Sequence, residues 1–212
     1  FTKLLANRLA PKLEEIISRN QSAFIKGRSI QDNYQYVRGA IQHFHRKRTP
    51  MCFLKLDLAK AFDRVRWDYL LEVMQNLGFS KHWRDLMSAL WGSSSSRIML
   101  NGTPGTPFKH HSGLRQGDSL SPMLFIIAVE PLHRLLDKAT LEGQLTPIES
   151  GPAHMRASLY ADDTAIFIHP TSTDMINVQL VLKAFGQASG LQMNVDKSQL
   201  FLIRKELIQV EA

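Results

Sequence analysis

The sequence predicts an α+β fold, and three features predict it. Helical and strand-like periodicities are mixed along the chain with no repeated unit. Too few helices fall between consecutive strands for a doubly wound parallel sheet. No linker rich in Gly, Ser or Pro divides the 212 residues. With 44% hydrophobic and 21% charged residues the chain can bury a core and is too apolar to be disordered.

The opening FTKLLANRLAPKLEEII reads as an amphipathic helix, with Leu4, Leu5, Leu9, Leu13 and Ile16 at helical spacing. Because the chain begins on Phe1, it reads as a piece of a longer protein whose leader cannot be judged from this end. After the loop NQSAFIKGRS a second helix is expected from about Ile30 to Lys47, ending in the basic run HFHRKR, more simply a wet helix end than a binding patch. MCFLKLD (51–57) is a buried-strand candidate that leaves Asp57 where the strand ends. Residues 67–77 read as a helix stopped by Gly78, and Ser80 as the cap of another through Trp91. RIMLNG and TPFKHH suggest a hairpin around Asn101 to Gly105. Ser121-Pro122 reads as the cap and first turn of a long apolar helix to about Ala139, kinked at Pro131. A strand pair around Asp162 and Asp163 precedes a helix from about Thr173 to Ser189, closed by Gly190, and LQMNVDKSQLFLI reads as a final hairpin.

Lys and Arg number 26 against 19 Asp and Glu, so 26 − 19 = +7, which suits nucleic acid or an acidic membrane surface; a merely solvated basic surface is the alternative. The single cysteine, Cys52, excludes an intrachain disulfide and any cysteine-based zinc site, and fits a reducing compartment. The longest apolar run, Met123 to Val129, is far short of the roughly 18 residues a membrane span needs.

The stretch SLYADDTAIFI (158–168) sets two adjacent carboxylates among strand formers. They could be the loop of a hairpin, although a two-residue loop normally wants Gly and none is present. Carboxylates about 4 Å apart repel by roughly 4 kcal/mol at an effective dielectric near 20, a cost that a divalent cation would offset. Asp57 lies 162 − 57 = 105 residues earlier, also at the end of an apolar strand, and adjacent central strands would unite the three. Such a set can hold two Mg²⁺ ions, or Mn²⁺, for phosphoryl transfer; hard oxygen ligands without Cys or a compact His cluster argue against zinc.

Five blocks carry a resemblance as well: NQSAFIKGRSIQDN (20–33), FLKLDLAKAFD (53–63), GLRQGDSLSPMLF (113–125), YADD (160–163) and SGLQMNVDKSQ (189–199). The last four stand in the order of the palm motifs A to D of reverse transcriptases, and the chain resembles the reverse transcriptase of a LINE-type, non-LTR retrotransposon of the kind abundant in plants. The resemblance implies the fingers and palm of a right-hand polymerase, with an antiparallel, ferredoxin-like palm sheet backed by helices. It places a fingers portion at about 1–50 and the palm at about 51–212, with thumb and endonuclease outside the chain.

By the same resemblance, Asp57 and Asp162 are the principal metal ligands and Asp163 the third carboxylate. Phe62 matches the steric gate that favours deoxynucleotides, Gln116 and Gly117 the loop against nucleotide and template, and Lys197 the lysine that protonates pyrophosphate. Arg115, Lys26 and Arg28 are candidate phosphate or template contacts, and Asp63 is assigned to structure as a helix cap. Ordinary alternatives stand beside these: a core ring for Phe62, solvated cations for Arg115 and Lys197. The implied partners are an RNA template, a DNA primer and dNTPs, and the implied location is the nucleus. The chain departs from the family at Ser112, usually Arg, and at Ser119, usually Pro. Two rival readings follow: a catalytically silent remnant that keeps fold and nucleic-acid affinity, and a metal-dependent nuclease.

Overall fold

The computed structural model describes residues 1–148, 155–204 and 206; the remainder of the span assigned to the palm lies outside the described residues. The helices are α1 (Thr2–Leu9), α2 (Leu13–Ile16), α3 (Ile30–Lys47), α4 (Ala61–Arg64), α5 (Trp67–Asn76), α6 (Lys81–Gly92), α7 (Ser121–Leu141) and α8 (Ser172–Ser189). The strands are β1 (Met51–Leu56), β2 (Ser95–Ser96), β3 (Met99–Leu100), β4 (Thr103–Pro104), β5 (Phe108–Lys109), β6 (Ala157–Tyr160), β7 (Asp163–Ile168) and β8 (Gln199–Ile203). The central sheet runs β6-β7-β1-β8 with every pair antiparallel. Numbering its strands in chain order gives 2-3-1-4, with helices between the first and second and between the third and fourth, which is the βαββαβ ferredoxin-like topology.

Both faces of the sheet are covered along the first part of β1, which is why the strand is apolar from Met51 to Leu54. Cys52, Leu54 and Leu56 face the main core with Ile166 and Ile168 of β7 and with buried residues of α5, α7 and α8. Met51 and Phe53 point the other way, where Phe44 of α3 and Phe167 of β7 form a smaller core with tilted ring contacts at 5.5 and 5.4 Å. That second cover reaches only part of the strand. On the same face Lys55 is exposed and Ala165 half-buried, so the sheet is open toward its Asp57 end.

Several expectations change. Pro11 interrupts the opening helix, replacing one turn by a 3₁₀ turn over Ala10–Lys12. Ser121 is the first residue of α7, whose N-cap is Leu120. RIMLNG and TPFKHH do not pair with each other: β3 folds onto β4 through Asn101-Gly102, and β5 pairs with β2. LQMNVDKSQLFLI is not a hairpin, because β8 pairs with β1 as an edge strand. The apolar alternation there reports a strand correctly; its partner lies 150 residues earlier, which local periodicity cannot reveal.

Tyr36 of α3 exchanges two hydrogen bonds with the backbone of Met155, and burial pushes its hydroxyl up to about 12. A phenol raised above its ordinary value near 10 contributes stability that is complete below pH 10 and is lost as pH rises through 12. Urea melts of the wild type are therefore expected to show a stability decline between pH 10 and 12 that is smaller in Tyr36→Phe, the buried phenol of Tyr69 supplying what remains.

Candidate functional site

The antiparallel register places the carboxylate-bearing positions. Leu56 of β1 stands opposite Thr164 of β7, so the next position outward on each strand puts Asp57 across from Asp163, where neighbouring Cα atoms lie about 5 Å apart. β6 and β7 are joined by a two-residue turn, Ala161-Asp162, with Tyr160 paired to Asp163. The turn forms without glycine, at the expense of a left-handed Ala161 (φ 55°). Asp162 and Asp163 are exposed and Asp57 is half-buried. No hydrogen bond or ion pair to a described residue engages any of the three carboxylates.

The donor chemistry suits a hard divalent cation, but the side chains do not converge on one point as they stand. Among the described residues, no three His, Cys, Asp or Glu side chains are grouped to hold a metal ion.

The segment carrying Lys197 is fastened to Asp57. Ser198 Oγ accepts the Asp57 N–H at 3.1 Å and donates to the Asn194 carbonyl at 2.7 Å, while Asn194 N–H donates to the Asp57 carbonyl at 2.8 Å. Lys197 itself is exposed beside this knot. Gly190, which precedes it, has φ 83°, and a Cβ there would stand 2.2 Å from the Arg64 carbonyl oxygen, so the close approach requires glycine.

Phe62 lies half-buried with its ring stacked on Phe125 at 4.6 Å and 18°. Its carbonyl accepts the Leu114 N–H at 2.7 Å, and Val65 accepts that of Gly113 at 2.8 Å, so the loop that carries Arg115, Gln116 and Gly117 is strapped to the turn after β1. Asp63 is not a helix cap: Lys60 holds the N-cap of α4, and Asp63 Oδ1 accepts a 3.5 Å hydrogen bond from Gln116 Nε2. Arg115, Gln116 and Gly117 line an open cleft of about 1100 Å³ together with Trp91, Ser96 and His110. Gly113 at φ 87° sits where a Cβ would meet the Asp63 carbonyl oxygen at 2.7 Å. Gly113→Ala is therefore expected to lose about 2–3 kcal/mol from the left-handed backbone and the displaced loop, measured by urea denaturation.

Arg28 departs from its expected role. Its guanidinium donates to the carbonyls of Ser18 (2.6 Å), Gln21 (2.7 Å) and Ile17 (3.1 Å), and burial lowers its pKa against the opposing charges of Glu14 and Glu130. A fork spent on three carbonyls braces the loop and is not free for a phosphate. Lys26 is exposed on the same loop. Sequence reasoning missed Glu130, which is 3% exposed and accepts from Ser18 N, Ser18 Oγ and Arg134 Nε, tying α7 to this N-terminal segment. A lone Glu inside the apolar run of α7 was the available signal.

A family model described as reverse transcriptase (RNA-dependent DNA polymerase) matches residues 1–210. The chain belongs to the reverse transcriptase family. This reverse transcriptase chain is 31% identical over 198 residues to the transposon TX1 uncharacterized 149 kDa protein of Xenopus laevis, covering 92% of the chain and 15% of that protein. It is 27% identical over 193 residues to a Pol polyprotein from a type-1 retrotransposable element R2 of Nasonia vitripennis, covering 91% and 18%. The non-LTR retrotransposon resemblance is thereby borne out, and the chain spans less than a fifth of the length of these two relatives. Among solved structures, apo telomerase from Candida tropicalis, truncated from its C-terminal domain, superposes with a TM-score of 0.66 at 14% identity over 95% of this chain and 40% of that one. The same organism's telomerase in complex with a fragment of telomeric RNA gives 0.65 at 13%, covering 95% and 32%. At that identity the likeness shows the fold, which is the right-hand polymerase arrangement expected of a reverse transcriptase. Among the described residues no helix is long and apolar enough to cross a membrane.

Proposed function

We propose that this reverse transcriptase domain extends a DNA primer on an RNA template, joining dNMP units to the primer 3′-hydroxyl. The observation that carries the reading is the register that sets Asp57 across from the Asp162–Asp163 turn on the two central strands. Asp57, Asp162 and Asp163 would hold Mg²⁺, two ions in the proposal, with Mn²⁺ a substitute. When bound, the ions supply a lowered pKa at the primer hydroxyl and charge neutralisation on the triphosphate.

The chain's own groups do the rest. The primer hydroxyl loses its proton to solvent as its oxygen forms a bond to the α-phosphorus, the bond from that phosphorus to the bridging β-phosphate oxygen breaks, and pyrophosphate leaves with the electron pair. Lys197, exposed beside the Asp57 knot, would donate a proton to that leaving group. Phe62, held flat by Phe125, would present a rigid edge to the sugar and disfavour a 2′-hydroxyl. The cleft walled by Arg115, Gln116 and Gly117 would seat nucleotide and template, with the basic excess holding phosphates without reading sequence. Lys26 is a further candidate phosphate contact. The division into fingers to about residue 50 and palm beyond it, and a nuclear place of action, belong to the same proposal.

The silent-remnant reading keeps one observation on its side: Ser112 and Ser119 stand at positions where the family usually has Arg and Pro. Extension of oligo(dT) on poly(rA) by the 212-residue chain with dTTP and Mg²⁺ separates them. Mg²⁺-dependent product supports the polymerase. Duplex binding without product supports the remnant, and strand cleavage in the absence of dTTP would point to a nuclease.

A further inference from the structure

We infer that Gln21 is a positioning residue that holds the Ala161–Asp162 turn, and so fixes where the Asp162 carboxylate stands. The inference deepens the polymerase reading and rests on it for its kinetic part.

The turn poses a problem that its own residues do not solve. Ala161 is left-handed at φ 55°, a conformation that costs an L-residue about 1–2 kcal/mol, and two-residue hairpin loops usually avoid it by using Gly or Asn. Ala161 is also buried, at 7% exposure, so its N–H needs a partner inside the protein. That partner comes from 140 residues away: Gln21 Oε1 accepts the Ala161 N–H at 3.1 Å and, with the same oxygen, the Ala23 N–H at 2.9 Å. One buried amide oxygen thus joins the acidic turn to the N-terminal loop.

The backbone that carries the amide is itself held firmly. Leu159 N–H donates to the Asn20 carbonyl at 2.7 Å and Ser22 N–H to the Leu159 carbonyl at 3.1 Å, so residues 20–22 lie along β6 as a short parallel extension of the sheet. Asn33 Nδ2 adds bonds to Ser158 Oγ and the Leu159 carbonyl, both at 2.8 Å. Arg28 completes the brace by donating to the Gln21 carbonyl, which gives that half-buried cation a purpose at one remove from the acidic site. The motif block NQSAFIKGRSIQDN therefore acts as a bracket around the turn, with Asn20, Gln21, Arg28 and Asn33 as its fastenings. Gln21 touches no reacting atom in this account and acts only through Ala161.

The decisive variant is Gln21→Met, which keeps side-chain length and removes the acceptor. Amide exchange at Ala161 in ¹⁵N-labelled protein is expected to speed up about tenfold, the ratio equivalent to about 1.4 kcal/mol for one buried hydrogen bond, while amides of α7 keep their rates. In primer extension kcat is expected to fall roughly tenfold to a hundredfold with KM for dTTP within about threefold, because turn geometry changes and the nucleotide cleft does not. Gln21→Glu, which retains both accepted bonds, is expected to keep Ala161 protected. Should Gln21→Met fail to fold, Gln21→Asn withdraws the same amide by one methylene and must show the same selective exchange. Unchanged Ala161 exchange in the folded variant overturns the inference. Exchange at Ala161 that rises only together with the α7 amides also overturns it, by showing a general loss of stability. A wild type without extension activity would refute the polymerase reading alone, since the exchange measurement still decides the role of Gln21.

Discussion

Asp162→Asn is expected to lower the rate of primer extension by about a thousandfold or more at saturating Mg²⁺ and dTTP, with an unchanged melting temperature. The two halves of that expectation have separate causes. Asp162 is an exposed turn residue whose carboxylate has no described partner, so an isosteric amide removes nothing that holds the fold, and such surface changes usually stay within about 0.5 kcal/mol. Rate loss follows from the anionic oxygen: charge stabilisation by bound metal is worth several kcal/mol, and about 4 kcal/mol corresponds to three decades. Asp57→Asn should give a comparable loss, and the double variant little more, because groups that hold a shared centre do not act additively. Retention of a tenth of wild-type activity in Asp162→Asn would remove that carboxylate from the proposed centre.

Arg156→Met is expected to cost about 3–5 kcal/mol of folding stability and on the order of 10 °C in melting temperature. Arg156 is 3% exposed and Asp174, 4.0 Å away, is 2% exposed. The guanidinium donates to the Phe167 carbonyl at 3.1 Å, to Thr140 Oγ1 at 3.2 Å and to the Thr146 carbonyl, while Asp174 Oδ1 accepts from Thr146 N and Thr146 Oγ1 at 3.2 and 2.9 Å. Desolvation lowers the pKa of the arginine, and the nearby carboxylates of Asp174 and Asp137 oppose that shift. Removing the cation alone leaves Asp174 buried and uncompensated, the costliest way to break such a pair. Adding Asp174→Asn should recover part of the loss, since an amide oxygen still accepts from Thr146 and carries no charge. Full recovery is not expected, because the Phe167 and Thr146 carbonyls have lost their donor. Chemical denaturation of the two variants measures both steps.

What periodicity could reveal and what it could not are visible in these residues. Met51 to Leu54 is apolar on both faces because helices cover both, Lys55 marks where the second cover stops, and the apolar run ends at Asp57 where the strand does. α3 spans the expected range of about Ile30 to Lys47, and the structure adds the reason: Ser29 and Asp32 form a capping box at its start and a basic last turn closes it. The pairing of β8 with β1 was not legible, since a run such as QLFLI states that it wants neighbours without naming them. Buried polar residues hid more completely. Gln21, Glu130, Arg156 and Asp174 each answer to partners distant in the chain, and a lone charge in a sequence looks the same whether it faces water or a carbonyl. Arg28 misled for that reason: a cation beside a glycine suggests phosphate, and only the three carbonyls around it say otherwise.

The crossed strand order has a consequence for how the molecule is made. β6 and β7 are neighbours in sequence and can close early, whereas β7 must find β1 across separations of 168 − 52 = 116 to 164 − 56 = 108 residues, after the whole of α4 to α7 has been synthesised. Such non-local pairing is slow, and until it occurs β1 has both hydrogen-bonding edges unpaired. The acidic constellation can thus close only after residue 168 has been made, and the edge strand β8, with the knot that fastens it to Asp57, comes later still.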